Sequence, residues 1–145
     1  MKRTITKSTL VLLTCFMGSC ANQSASSLHS KNEKLINDYY GAYVKKDWHV
    51  MELILADEFT FTSPAGDDHI SLTVYKERCW PNSEKTKKFE MERIIDNGDE
   101  AFVTYTGWTT SGKSFRNTEY FKFKEGKIVQ NECFFGAGVN FPNHE

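Results

Sequence analysis

The sequence predicts an α+β domain in which three N-terminal helices pack on a curved antiparallel sheet. Three observations carry that prediction. Apolar and aromatic residues recur at helical spacing in the first part of the chain, the second part alternates with a period of two, and glycine-bearing turn pairs separate the alternating runs. A length of 145 residues suits one domain with a real core, and 11 Phe, 6 Tyr and 3 Trp supply rings enough to wall a core or a cavity.

The fold begins after an export signal over residues 1–19. "MKRTITK" is a cationic leader, and "STLVLLTCFMG" is an apolar run too short to span a bilayer stably. The run ends in "MGSC", which resembles a bacterial lipobox. That resemblance implies cleavage before Cys20, acylation of this cysteine and anchoring to a bacterial cell membrane, the outer membrane in a Gram-negative cell. The alternative is a plain secretory signal cut after an A-x-A-like site. Without residues 1–19 the chain loses Lys2, Arg3 and Lys7 and keeps 15 basic against 19 acidic groups, a formal charge of −4. No basic face for nucleic acid is expected. Residues 20–30, rich in Ser, Asn and Ala, read as a flexible tether, residues 31–138 as the domain, and residues 139–145 as a C-terminal tail.

Leu35, Ile36, Tyr39, Tyr40 and Tyr43 form the one-sided stripe of a first helix over 32–46. Asp47 can cap a second helix with the stripe Trp48, Met51, Ile54 and Leu55. "EFTFTSP" then alternates, with Phe59, Phe61 and Ser63 on one side, until Pro64 and Gly66 end the strand. The following "AGDDH" reads as a solvated loop. Ser71 caps a third helix through Leu72, Tyr75 and Cys79, which must stop at Pro81. Trp80 is placed to plug one end of the sheet.

Four strands in a meander follow, turning at Asn97-Gly98, Ser111-Gly112 and Glu125-Gly126. Taking each pair as a two-residue loop assigns the faces. The inner one carries Phe89, Met91 and Arg93, then Phe102, Thr104, Thr106 and Trp108, then Phe115, Asn117, Glu119, Phe121 and Phe123, then Ile128, Gln130, Glu132 and Phe134. Glu119 then faces Glu132, Phe121 faces Gln130 and Phe123 faces Ile128. The rival, a three-residue loop with a glycine bulge, brings Asn131 opposite Glu119. The outer face carries Val103, Tyr105, Tyr120 and Cys133, a semi-apolar patch. An exported compartment permits a disulfide between Cys79 and Cys133, but a helix end and an outer strand face favour two free thiols.

Three helices, a strand after the second, and a four-stranded meander stand in the order of the nuclear transport factor 2-like superfamily. The segments "YYGAYVKKDWHVMELILADEFTFTSP", "ERCWPNS", "DNGDEAFVTY" and "NTEYFKFKEGKIVQNECFFG" resemble its SnoaL-like proteins from Lys31 to Gly136. The resemblance implies a cone-shaped α+β barrel, a curved antiparallel sheet wrapped on the three helices around an internal pocket, and a homodimer formed through the outer sheet. The fold hosts ketosteroid isomerase, polyketide cyclases, epoxide hydrolases and members that only bind, so it leaves activity open. Relative to the isomerase, Tyr39 falls at the oxyanion-hole tyrosine and Glu119 at a protonated aspartic acid. The isomerase's general base falls at Ser63, whose unassisted hydroxyl cannot take a carbon-bound proton.

Two carboxylates about 5 Å apart repel by roughly 3 kcal/mol at an effective dielectric of 20, so one of Glu119 and Glu132 should keep its proton or meet a cation. Arg93 is the best internal cation. A neutral glutamic acid beside Tyr39 would donate to a ligand oxygen, in a pocket of Tyr39, Phe61, Ser63, Arg93, Trp108, Asn117, Glu119, Phe121, Glu132 and Phe134. The other reading of the glutamate pair is a solvated or Arg93-relieved stitch. Asp67, Asp68 and His69 offer base and relay chemistry, although adjacent loop residues seldom converge on one point. No spacing for metal or for a bound cofactor is present. The sequence thus predicts first a tethered domain that binds a small, largely apolar molecule. The second reading is a cofactor-independent isomerase, cyclase or hydrolase using Glu119, Glu132 and Tyr39 with Asp68 or His69. The third is a dimeric scaffold with a vestigial pocket.

Overall fold

The computed structural model describes residues 20–135, with side chains from Lys31 onward. The expected export signal over 1–19, the expected tail over 139–145 and the side chain of Cys20 lie outside the described residues. Helices α1 (Cys20–Lys45) and α2 (Trp48–Ile54) lead into strands β1 (Leu55–Ser63) and β2 (Asp67–Ser71). Helix α3 (Leu72–Arg78) and a 3₁₀ turn (Trp80–Lys85) come next. Strands β3 (Thr86–Asp96), β4 (Glu100–Thr109), β5 (Ser114–Lys124) and β6 (Lys127–Phe134) complete the chain.

The caps explain the early boundaries. Lys46 takes a left-handed backbone (φ 58) to break α1, and the Asp47 side chain accepts from the His49 and Val50 amides to start α2. Ser71 accepts from the Val74 amide to start α3. Two segments differ from expectation. Helix α1 runs back through residues 20–30, because no Gly or Pro lies between Cys20 and Gly41 to stop it propagating from the packed Tyr stripe. The supposed loop at Asp67–His69 is strand, paired to β1 with Ser63 opposite Asp67 across a turn at Gly66.

All six strands form one sheet in the order β2-β1-β6-β5-β4-β3, with β1 parallel to β6 and every other pair antiparallel. It is a mixed, open sheet: the edges β2 and β3 do not pair with each other, so the expected closed cone is realised only in part. The core between helices and sheet is built on Ile36, Tyr39, Met51, Leu55, Phe59, Tyr75, Val103, Phe121 and Ile128.

The register departs from two-residue loops in three places, and each departure turns side chains over. The β3–β4 tip lies at Gly98-Asp99, and a bulge falls between Met91 and Arg93, so Met91 faces Tyr105 while Arg93 faces Thr104. The β4–β5 loop has three residues, Thr110 to Gly112, closed by the Thr109 amide on the Lys113 carbonyl, with Gly112 at φ 87. This puts Val103 opposite Glu119 and turns Ala101, Val103 and Tyr105 inward. Glu125-Gly126 is the expected two-residue turn, with both residues left-handed and Phe123 opposite Ile128. Beyond it, however, Val129 is extruded as a bulge and Lys122 faces Gln130.

The consequence for the expected site is direct. Glu119 faces Cys133, and Glu132 faces Tyr120 on the opposite side of the sheet, so the paired carboxylates do not exist. Neither does the rival register, since Asn131 faces Phe121. Arg93 is exposed, Trp108 lies outward beneath the Lys88 ammonium, and Phe134 is half exposed. The outer patch loses Val103, Tyr105 and Cys133 to the core and is instead Ile95, Phe102, Tyr120 and Phe134, with Phe102 in ring contact with both Tyr120 and Phe134. Cys79 and Cys133 are free thiols.

Candidate functional site

Glu119 is 7% exposed on the inner face of β5 and is contacted from three directions. Tyr40 on α1 donates to its Oε2 at 2.9 Å, and Tyr105 on β4 donates to its Oε1 at 2.7 Å. From β6, Asn131 Nδ2 donates to Oε2 at 3.2 Å and Cys133 Sγ to Oε1 at 3.5 Å. Each placement follows from the local structure: the α1 stripe presents Tyr40, the three-residue loop turns Tyr105 inward, and the Val129 bulge turns Asn131 and Cys133 inward.

A second group of phenols continues the network. The Tyr75 hydroxyl lies 2.6 Å from those of Tyr39 and Tyr43, and Tyr39 donates to Asn131 Oδ1 at 3.3 Å. Asn131 Nδ2 also donates to the Tyr120 carbonyl, and Asn117 Nδ2 reaches the Tyr105 hydroxyl and the Cys133 sulfur. Rings pack around these groups, Tyr40 on Phe89 and Tyr39 on Phe121 edge to face and Tyr40 on Tyr105 tilted.

Burial sets the electrostatics. It holds the phenols of Tyr39, Tyr40, Tyr75 and Tyr105 well above their ordinary range, so they stay protonated and act as donors. Burial is also the larger influence on Glu119 and raises its pKa, while its four side-chain donors pull the other way. Loss of solvent pushes the Cys133 thiol up as well, with Glu119 adding to the effect, so Cys133 is a donor and not a nucleophile.

Near the end of β1, Asp67 is buried, accepts from Ser63 Oγ at 2.7 Å and pairs with Arg78 at 2.8 Å. Cys79 Sγ lies 4.0 Å from the same carboxylate, and burial pushes this thiol up to about 11. Asp68 and His69 contact each other at the surface, away from this cluster.

Of the predicted site residues, Tyr39, Phe61, Ser63, Asn117, Glu119 and Phe121 share the inner face, whereas Arg93, Trp108, Glu132, Phe134, Asp68 and His69 do not. Tyr39 is one side chain removed from Glu119, through Asn131. Sequence reasoning missed Tyr40, Tyr75, Tyr105, Asn131 and Cys133 as members of the site. A signal for Tyr40 existed, because two adjacent tyrosines on a buried helix face both need partners for their hydroxyls. Among the described residues, no group of three His, Cys, Asp or Glu side chains is placed to hold a metal ion. An open groove between α1 and β3, lined by Glu33, Met91, Glu92, Arg93, Ile94 and Asp96, includes none of the Glu119 partners.

Solved structures share the architecture. A protein with a cystatin-like fold from Methylobium petroleophilum PM1 superposes with a TM-score of 0.65 at 19% identity, over 77% of this chain and 79% of its own. A candidate ketosteroid isomerase from Kribbella flavida gives a TM-score of 0.63 at 13% identity over 79% and 84% of the two chains. A candidate polyketide cyclase from Sinorhizobium meliloti gives 0.57 at 21% identity over 70% and 94%. These identities speak to the fold alone. No curated protein matches in sequence. The profile of the SnoaL-like domain, however, matches residues 36–131, about two thirds of the chain, from the α1 stripe to the asparagine beside Glu119. The chain therefore belongs to the SnoaL-like domain family.

Proposed function

We propose that this is a binding domain, exported and anchored to a bacterial membrane through acylated Cys20, that takes a small, largely apolar ligand against Glu119. One observation carries the reading: an acid is buried among aromatic rings with four side-chain donors and no cation among the described residues bonded to it. A purely structural contact at this place would be made more cheaply by apolar side chains, so a buried, perturbed acid marks a site of use. Among the described residues no further acid or histidine is bonded to Glu119 as a base, which favours binding over turnover. The half-exposed patch of Ile95, Phe102, Tyr120 and Phe134 supports a homodimer formed through the outer sheet face.

A second reading, a cofactor-independent isomerase or cyclase, rests on Asp67. Its carboxylate stands one hydrogen bond behind Ser63, the position at which the related isomerase has its base. The solved cyclase and isomerase candidates share only the fold with this chain.

The test is calorimetry with a ligand found by thermal-shift screening. Glu119→Gln should weaken binding about tenfold or more, a loss of about 1.4 kcal/mol, while Asp68→Asn and His69→Ala leave it unchanged. Turnover of that ligand, lost in Asp67→Asn with binding intact, establishes the enzyme instead. For the anchor, mass spectrometry of the mature N-terminus should show acylated Cys20, and Cys20→Ser should release the protein from membranes. An unmodified start elsewhere contradicts it.

A further inference from the structure

Strand β6 stops short of its neighbour. Its last pairs with β5 are Cys133 with Glu119 and Phe134 with Thr118, whereas β5 already begins at Ser114. Over Ser114, Phe115, Arg116 and Asn117, β4 occupies one side, with Trp108, Gly107, Thr106 and Tyr105 in register. Among the described residues no strand pairs with the other side. Half of the backbone N–H and C=O groups of this stretch therefore form an open edge within the sheet, a template on which an extended chain can add.

The same corner leaves an inward-facing ring uncovered. Along the inner face of β5, Phe121 is fully buried, Glu119 is 7% exposed, Asn117 is half-buried and Phe115 is 39% exposed. The Phe115 ring packs over Gly107 and edge to face on Tyr105, both on β4. Its exposed side is thus the one turned away from β4, toward the open edge.

The chain leaves β6 in the direction of this gap. Continued antiparallel from the Thr118 and Phe134 pair, the register puts Phe135 opposite Asn117, Gly136 opposite Arg116, Ala137 opposite Phe115 and Gly138 opposite Ser114. Phe135 keeps the phase, since it packs against the core while Phe134 is half exposed on the outer face. Residues 136–145 lie outside the described residues, but their sequence, GAGVNFPNHE, continues the pattern. Phe135, Ala137, Val139 and Phe141 alternate with Gly136, Gly138 and Asn140 until Pro142, which cannot extend a ladder. Apolar residues on the inward phase over seven positions are a strand signal, and small Ala137 falls where the Phe115 ring needs room. Gly136 and Gly138 cost backbone entropy and bring no side chain to pack, so such a strand is held more weakly than β6 itself.

We propose that the open edge of β5 is a docking site for this chain's own residues 136–141, which extend β6 along Ser114–Asn117 and cover Phe115 with Ala137 opposite it and Val139 on the diagonal. The tail is then a weakly fastened strap over the end of the inner face that carries Asn117 and Phe115. This fastening does not depend on a ligand at Glu119. Amide hydrogen exchange, read residue by residue by NMR, compares the full chain with the same chain carrying Val139→Asp and Phe141→Asp. In the parent, the amides of Ser114–Asn117 that face away from β4 should exchange about tenfold slower than in the double variant, or more, while those of Thr118–Phe121 stay as they are. Because the substitutions could act elsewhere, cross-linking gives a second readout in the full chain with Cys20→Ser. Ser114→Cys with Gly138→Cys should close a disulfide within one chain under mild oxidation, because facing residues of antiparallel strands stand at the Cα separation a disulfide needs. Ser114→Cys with Ala137→Cys, which point to opposite faces, should not. Equal exchange in the parent and the double variant overturns the strap, and so does equal bridging by the two cysteine pairs. Protection that falls on dilution, or bridges formed only between chains, assigns the edge to a second copy and overturns it as well.

Discussion

Cys133, and not Glu132, stands opposite Glu119 across the β5–β6 hairpin, and its thiol is one of four donors on that buried carboxyl. A single extruded residue, Val129, accounts for the difference. Without it the sheet would bury two like charges side by side; with it, one acid is enclosed by donors and the other is left on the outer face beside Gln130.

The acid should leave a signature in stability against pH. Burial raises the Glu119 pKa in the folded protein above the value of about 4.3 for an unfolded glutamate. The folded state therefore binds this proton more tightly than the unfolded state. The resulting stabilisation is complete below about pH 4.3 and is lost as pH climbs through the folded pKa. Urea unfolding of the wild type and of Glu119→Gln should show the wild type losing ground to the variant over that interval, then running parallel to it at higher pH. A difference that grows in the wild type's favour with rising pH would mean the donors outweigh burial.

How far the sequence reached can be told from these strands. The helical stripes, the caps at Asp47 and Ser71 and the inward set Asn117, Glu119, Phe121 on β5 follow from periodicity and turn chemistry, and the structure has them. Strands β4 and β6 were turned over. Alternation is preserved on either side of a bulge, so nothing in the residue pattern announces Val129 or Glu92, and the Thr110 to Gly112 loop differs from a two-residue turn by one position. The site suffered accordingly: its β5 member Glu119 was legible, whereas Tyr105, Asn131 and Cys133 depend on those slips. Tyr39 and Tyr40 both lie in the buried stripe, and which of them reaches Glu119 is decided by the rotation of α1 on the sheet.

Gly107 on β4 is a site of close approach. A Cβ there would stand 2.5 Å from the Phe115 ring, which leans across the strand. Gly107→Ala should cost about 1–2 kcal/mol, as overpacking does, in denaturant unfolding. Adding Phe115→Ala should remove most of that penalty, since the two residues share the contact. Strictly additive losses would show that Phe115 already swings clear.

The outer sheet face offers a sharper target for the dimer than Tyr120 alone. Ile95, Phe102 and Phe134 are 59%, 46% and 50% exposed. Sedimentation of the Cys20→Ser chain, which stays unacylated, should show a dimer at micromolar concentration. Phe102→Glu or Phe134→Glu should convert it to monomer with little change in stability. A monomeric parent, or a dimer that survives both substitutions, places the interface elsewhere or removes it.

The account's central claim is that Glu119 is a buried carboxylate kept as the anchor of a ligand site, and its side-chain ¹³C resonance tests this most directly. Followed from pH 4 to pH 8 in protein labelled at the glutamate carboxyls, with Glu119→Gln to assign the signal, it should titrate above the ordinary glutamate value of about 4.3. A resonance that titrates at or below that value would contradict the account.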